Sequence, residues 1–130
     1  MSKKEKKLIR KKFRDDVFER DRYTCQICGL GESLPNGFYI DPSETFDAHH
    51  ITDRSKIPNG GYVKENGITV CKDNAHLNSD GERIDSCHMR CEEFHISDGT
   101  KWEEGLHPND LYEKIGSSHE LACIKSKELK

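Results

Sequence analysis

The sequence predicts a small α+β fold, and three observations carry that prediction. Leu8, Ile9, Phe13, Val17 and Phe18 recur at three- and four-residue spacing, which lays one apolar stripe along a helix over residues 5–20. Two short β-prone runs, 45–51 and 68–71, read as the strands of a hairpin. Cysteines stand near both strands, as Cys25-Gln26-Ile27-Cys28, Cys71 and Cys87-His88, where they can supply cross-links that a poor core does not.

Composition bounds the rest. The chain has 130 residues, 32% hydrophobic and 35% charged, with a mean hydropathy of −0.91. That is one domain's worth of sequence, expected to form a single domain over 1–130, and it buries only a small core. No apolar run approaches the ~18 residues of a membrane span, and no apolar stretch near the N-terminus marks a signal peptide. The six cysteines are therefore expected to be reduced, in the cytoplasm of a bacterial or phage-infected cell. In that setting a Cys-x2-Cys pair more often marks metal than a disulfide. The net charge of −3 conceals an asymmetry: residues 1–14 carry eight Lys/Arg against Glu5, a charge of +7, which leaves −10 for the remainder. A basic arm over 1–20 on an acidic body points to a polyanion, the plain alternative being a solvated, frayed tail.

The elements follow in chain order. The lysines and arginines of 5–20 occupy the face opposite the apolar stripe, where they would grip phosphates without reading sequence. Cys25-Gln26-Ile27-Cys28-Gly29 reads as a zinc knuckle: a tight turn faces both thiolates to one ion, and glycine takes the backbone angle that L-residues resist. One pair is half a tetrahedral site. Residues 29–45 read as a loop that contains a short strand at Phe38-Tyr39-Ile40. A strand over 45–51 carries Asp47-Ala48-His49-His50-Ile51. Residues 52–67 form a polar connection ending in an Asn66-Gly67 turn, and connections of that length are often functional. After the strand 68–71, residues 72–86 read as an inserted loop. A helix over 87–96 starts from Asp85 or Ser86 as N-cap and stops at Ser97-Asp98-Gly99. A second helix over 108–116 starts at Pro108 and stops at Gly116. From Ser117 onward no element is read, and no internal repeats appear.

Together, Cys25/Cys28, Asp47-Ala48-His49-His50, Asn66 with Val70-Cys71, and Cys87-His88 resemble the signature of the HNH endonuclease family over about residues 10–115. The resemblance implies the ββα-metal (His-Me finger) fold, a hairpin and a helix clasping one divalent ion, with a structural four-cysteine zinc site and flanking helices. The chain departs from the family in one respect. Fifteen residues separate Cys71 from Cys87, where relatives have Cys-x2-Cys-His. The zinc ligands are then Cys25, Cys28, Cys71 and Cys87, with His76 and Cys91 as alternatives for the fourth. Cys91 and Cys123 are otherwise spare thiols.

Successive strand side chains point to opposite faces, so His49 and His50 take different tasks. By resemblance His49 binds the catalytic ion, His50 is the general base, Asn66 ties the hairpin loop and so aims His50, and His88 is the second ligand. For Asn66 the alternative is a plain type I′ turn. An imidazole titrates near neutral pH, which suits a base. His95 lies seven residues after His88 on the same helix face, ~10 Å further along. It is a weaker ligand candidate, otherwise a group behind the ligands or a core residue; relatives place a histidine four residues after the first, where this chain has Glu92. The implied reaction is hydrolysis of a phosphodiester in double-stranded DNA with Mg2+, Mn2+, Ni2+ or Zn2+, leaving a 5′-phosphate and a 3′-hydroxyl. Arg54 is placed to brace the phosphate or is simply solvated. Two other classes compete: a non-catalytic zinc-ribbon nucleic-acid binder, which has no need of His49, His50 and His88 together, and a protein-interaction zinc domain, which predicts no salt-dependent DNA affinity.

Overall fold

A computed structural model describes residues 2–31, 45–72 and 86–129. The strand at Phe38-Tyr39-Ile40, the inserted loop and the alternative ligand His76 lie outside the described residues.

Helix α1 spans Lys3–Arg20 and begins two residues earlier than its apolar stripe requires, because Ser2 caps it by accepting from the Glu5 amide. Lys11–Asp15 and Lys12–Asp16 pairs brace its outer face, each adding only a few tenths of a kcal/mol. Phe13, Val17 and Phe18 are buried as expected, whereas Leu8 is 58% exposed. Two antiparallel strands follow, β1 (Phe46–His50) and β2 (Gly67–Cys71), in the register Phe46 to Cys71 through His50 to Gly67. Gly67 is where α1 comes closest: a Cβ there would sit 2.5 Å from Val17 Cγ2 and 2.7 Å from Phe13 Cε1. Asp21 fastens the end of α1 by accepting from the Thr69 amide at 2.9 Å, and Arg20 donates to the carbonyls of Lys64 and Gly67.

The link between the strands is not a turn. Residues 51–66 form three short 3-10 segments, at Arg54–Lys56, Pro58–Gly61 and Lys64–Asn66. Asn66 ends the last of these, fully buried, and Gly67 is extended at φ −127. The Asn-Gly pair therefore makes no type I′ turn, which needs positive φ at both positions. Asn66 instead knits the connection. Its Oδ1 accepts from the Thr52 amide and the Tyr112 hydroxyl at 2.9 and 2.7 Å. Its Nδ2 donates to the Thr52 and Gly61 carbonyls at 3.1 and 3.2 Å. Gly61 is glycine because its φ is +67 and a Cβ would meet Asn66 Nδ2 at 2.5 Å.

Helix α2 (Cys87–Ile96) is capped by Ser86, and α3 (Pro108–Lys114) by a reciprocal His107–Asp110 capping box with Pro108 in its first turn. Gly116 sits at φ +68 just beyond α3, which ends two residues short of the expected 116. The segment after Ser117, where the sequence shows no element, forms a further helix, α4 (His119–Lys127). It buries only Ala122 and Ser126, two small residues one turn apart, so it carries no apolar stripe to read. Asn59 holds its far end by donating to the carbonyls of Ser126 and Leu129, both at 2.9 Å. The core runs from Phe18 and Phe46 through Ile51, Ile68 and Val70 to Leu111 and Tyr112, with Cys25, Cys71, Cys87 and Cys91 embedded in it. No helix among the described residues is long and apolar enough to cross a membrane.

Candidate active site

Two groups of metal-ligating side chains are assembled on this frame. The first is Cys25, Cys28, Cys71 and Cys87, whose sulfurs lie within 4.8 Å of one another. The knuckle turn supplies one pair: Gly29 stands at φ +79, and the Cys28 amide donates to Cys25 Sγ at 3.5 Å. The end of β2 and the start of α2 supply the other, where the Cys87 amide donates to Cys71 Sγ at 3.4 Å. Arg90 Nη1 points at Cys87 Sγ from 3.6 Å. Amide and guanidinium donors aimed at sulfur favour thiolate over thiol. Opposing them, burial pushes Cys71 up to about 11. Cys25 is drawn down to about 4 by its hydrogen bond with Cys87, and that same bond pushes Cys87 up. The group thus holds one thiolate easily and several only with a cation among them. Cys87 occupies the fourth place. The alternative, Cys91, one turn further along α2, is buried apart from the group, and burial raises its thiol to about 12. Cys123 lies on α4 within 3.5 Å of His119 Nε2.

The second group is His49, His88 and Glu92, again with one donor atom each within 4.8 Å of the others. His49 comes from β1, and His88 and Glu92 stand four apart on α2, hence on one face. Glu92 Oε1 lies 3.0 Å from His49 Nδ1 and 3.4 Å from His88 Nε2. Those two imidazoles hold the Glu92 carboxyl far below its usual range. Burial, with His49 only 2% exposed, pushes its imidazole toward the neutral form. A neutral His49 beside an ionised Glu92 gives the protonation states a divalent cation requires. Asp47, two residues before His49 on β1, reaches His88 Nδ1 at 3.3 Å and so leaves Nε2 to face the group. His49 Nε2 is buried with no hydrogen-bond partner.

Glu92 is the member that the signature residues do not point to. Its signal is the i, i+4 spacing from His88, which puts the two side chains on one face of α2. His95, in contrast, is not in the donor group. The helical rise that separates it from His88 puts it behind His49, its ring stacked at 5.2 Å between centroids. Its Nε2 lies 2.9 Å from the His50 carbonyl, so that nitrogen carries the proton and ties α2 to the end of β1. Asn66 likewise touches none of the donor atoms; its contacts are to the loop and Tyr112, which makes it a positioning residue and not a catalytic one.

His50 faces the other way, toward α1. Phe13 stacks on its ring at 4.6 Å, and Tyr62 meets it edge-on at 4.7 Å. Burial, with those rings on either side, lowers the imidazole to about 4. Its Nε2 is buried with no hydrogen-bond partner. At neutral pH His50 is therefore unprotonated, the state a base needs. Comparison of the chain with protein-family models, curated proteins and solved structures gives no match.

Proposed function

We propose that this chain is an HNH-type endonuclease of the ββα-metal fold that hydrolyses phosphodiester bonds in double-stranded DNA. The observation that carries the reading is the convergence of His49, His88 and Glu92 donor atoms from strand and helix within 4.8 Å, next to a strand neighbour, His50, that points away from them. Two imidazoles and a carboxylate fit a divalent transition ion, and the carboxylate admits Mg2+ or Mn2+. Three protein donors leave positions open for substrate, unlike the closed four-cysteine set, which we read as a structural zinc site.

When bound, the ion would supply Lewis-acid stabilisation of charge on the phosphate. The chain's own groups do the rest. Asp47 fixes the tautomer of His88, and Glu92 and His49 complete the donor set. His50, neutral and gripped between Phe13 and Tyr62, takes a proton from the attacking water; with Nε2 buried, Nδ1 is the nitrogen for that task. Asn66 holds the Ile51 and Thr52 backbone that follows His50, and His95 holds the His50 carbonyl. Exposed lysines and arginines of α1 would track phosphates.

The test is cleavage of supercoiled plasmid with Mg2+, Mn2+ or Ni2+ by wild type and His50→Ala. The reading expects nicked or linear product from wild type and a loss of about 100-fold or more in the variant. Equal behaviour of the two proteins overturns it.

A further inference from the structure

Tyr62, which meets His50 edge-on, also carries two guanidinium groups. Arg10, three residues before Phe13 on α1, lies over the Tyr62 ring with Cζ 5.5 Å from its centroid. Arg54, from the turn directly after β1, donates from Nη1 to the Tyr62 hydroxyl at 3.1 Å. Both arginines are exposed. Their attachment differs from that of the cations held in ion pairs. Lys11, Lys12, Arg20, Lys56 and Arg90 each meet an aspartate or glutamate. Among the described residues no carboxylate lies within ion-pair distance of Arg10 or Arg54. An arginine steadied by an aromatic ring or a hydroxyl keeps its full charge and most of its five donors for another acceptor. Two such groups converging on one ring repel each other until an anion joins them.

Their placement identifies the anion. Tyr62 touches His50, whereas the donor group surrounds His49 on the opposite face of β1. A phosphate held by Arg10 and Arg54 therefore lies on the other face of β1 from one held at the donor group. Arg10 also continues an exposed line of basic residues on α1, Lys3, Lys7 and Arg14, at three- and four-residue spacing.

We propose that Arg10 and Arg54, carried on Tyr62, form a clamp for the DNA backbone phosphate next to the scissile one. The inference rests on the nuclease reading and adds to it the residues that place the strand against His50. Arg10 and Arg54 bind substrate; Tyr62 positions them. A contact made equally in bound substrate and transition state changes KM and not kcat.

The test uses the full chain with Mn2+ and a fluorescent DNA duplex, over a series of salt concentrations. Arg10→Gln and Arg54→Gln are each expected to raise KM about tenfold with kcat within about twofold, and to lower the slope of log affinity against log salt by about 0.9. Arg54→Lys keeps the charge and so the slope, but loses the two-pronged contact and raises KM. Tyr62→Phe is expected to give a smaller KM increase than Arg54→Gln. Lys56→Gln, a change in the same turn at a residue already paired with Asp98, serves as the control and matches wild type. If Arg10→Gln and Arg54→Gln keep the wild-type slope and KM, the clamp is wrong and the nuclease reading stands. A fall in kcat with an unchanged slope also overturns the clamp, since the residues would then act by shaping His50. A wild type that neither binds nor cuts DNA overturns both.

Discussion

Both donor groups join the β-hairpin to α2, the cysteines bringing in the knuckle after α1 as well, and yet they are built on opposite principles. The four cysteines come as a pair on the knuckle turn and a pair from the end of β2 and the start of α2; one sulfur of each pair accepts an amide hydrogen bond, and three of the four residues are buried in the core. The His49–His88–Glu92 group offers three unlike donors; His49 is sealed, while His88 and Glu92 are only partly covered. A closed, uniform set is suited to holding a fold together, and an open, mixed set to exchanging a ligand. On the proposed reading, a chain with so little apolar content separates folding from chemistry: one group would replace missing core, and the other could stay incomplete.

Removing a cysteine should therefore have the largest effect. Cys71→Ser, or stripping metal with a strong chelator, is expected to abolish cooperative thermal unfolding, because structural zinc contributes on the order of 10 kcal/mol in small domains. A sharp melt retained after verified metal loss would show that the apolar core suffices. Glu92→Gln is expected to reverse the pattern: cleavage falls about 100-fold while bound zinc and the melt stay near wild type. Should that variant unfold instead, the second group is structural and the contrast collapses.

Asn66→Ala should fall between these. It strips partners from the Thr52 amide and the Tyr112 hydroxyl, and the connection it knits leads from His50. A loss of about 2–3 kcal/mol in urea unfolding is expected, together with reduced kcat. Tyr112→Phe, which removes only one of those bonds, should cost about 1 kcal/mol and sharpen the apportioning.

The last contrast is one of pH. His50 is lowered by burial from 6.5 to about 4, so the native chain refuses a proton that the unfolded chain accepts. Stability should be insensitive to this group above 6.5 and fall as pH drops from there toward 4. The acid limb of kcat should lie well below 6.5 for the same reason, since the base stays unprotonated. A limb centred on the ordinary imidazole value would mean that His50 is not the base, or is not enclosed as the structure has it.

What could be read from the residues followed from how each signal arises. Period-3.6 apolar spacing and Pro108 with Gly116 mark α1 and α3 because those helices bury large side chains or carry distinctive ends. α4 buries only small side chains, and its one local mark is the Ser118 N-cap; its far end is held by Asn59 reaching across from the hairpin connection, a contact no local pattern encodes. Asn66-Gly67 misleads as a turn because the asparagine is drawn into a buried network with Tyr112, far along the chain. In the candidate site, alternation along β1 correctly separates His49 from His50. The carboxylate of the second donor group escapes a search for histidines, because Glu92 stands out through its helical phase with His88 and not through its residue type. His95 has the right type and the wrong height on α2, and it serves the backbone of His50 instead.

The most direct test is calorimetric titration of Mn2+ into the zinc-loaded chain, for wild type, His49→Ala and Glu92→Gln, with plasmid cleavage followed on the same samples. One Mn2+ site per wild-type chain, weakened at least about tenfold in both variants and saturating in step with cleavage, is the predicted result. Equal Mn2+ affinity in all three proteins, or cleavage that does not track occupancy of that site, would contradict it.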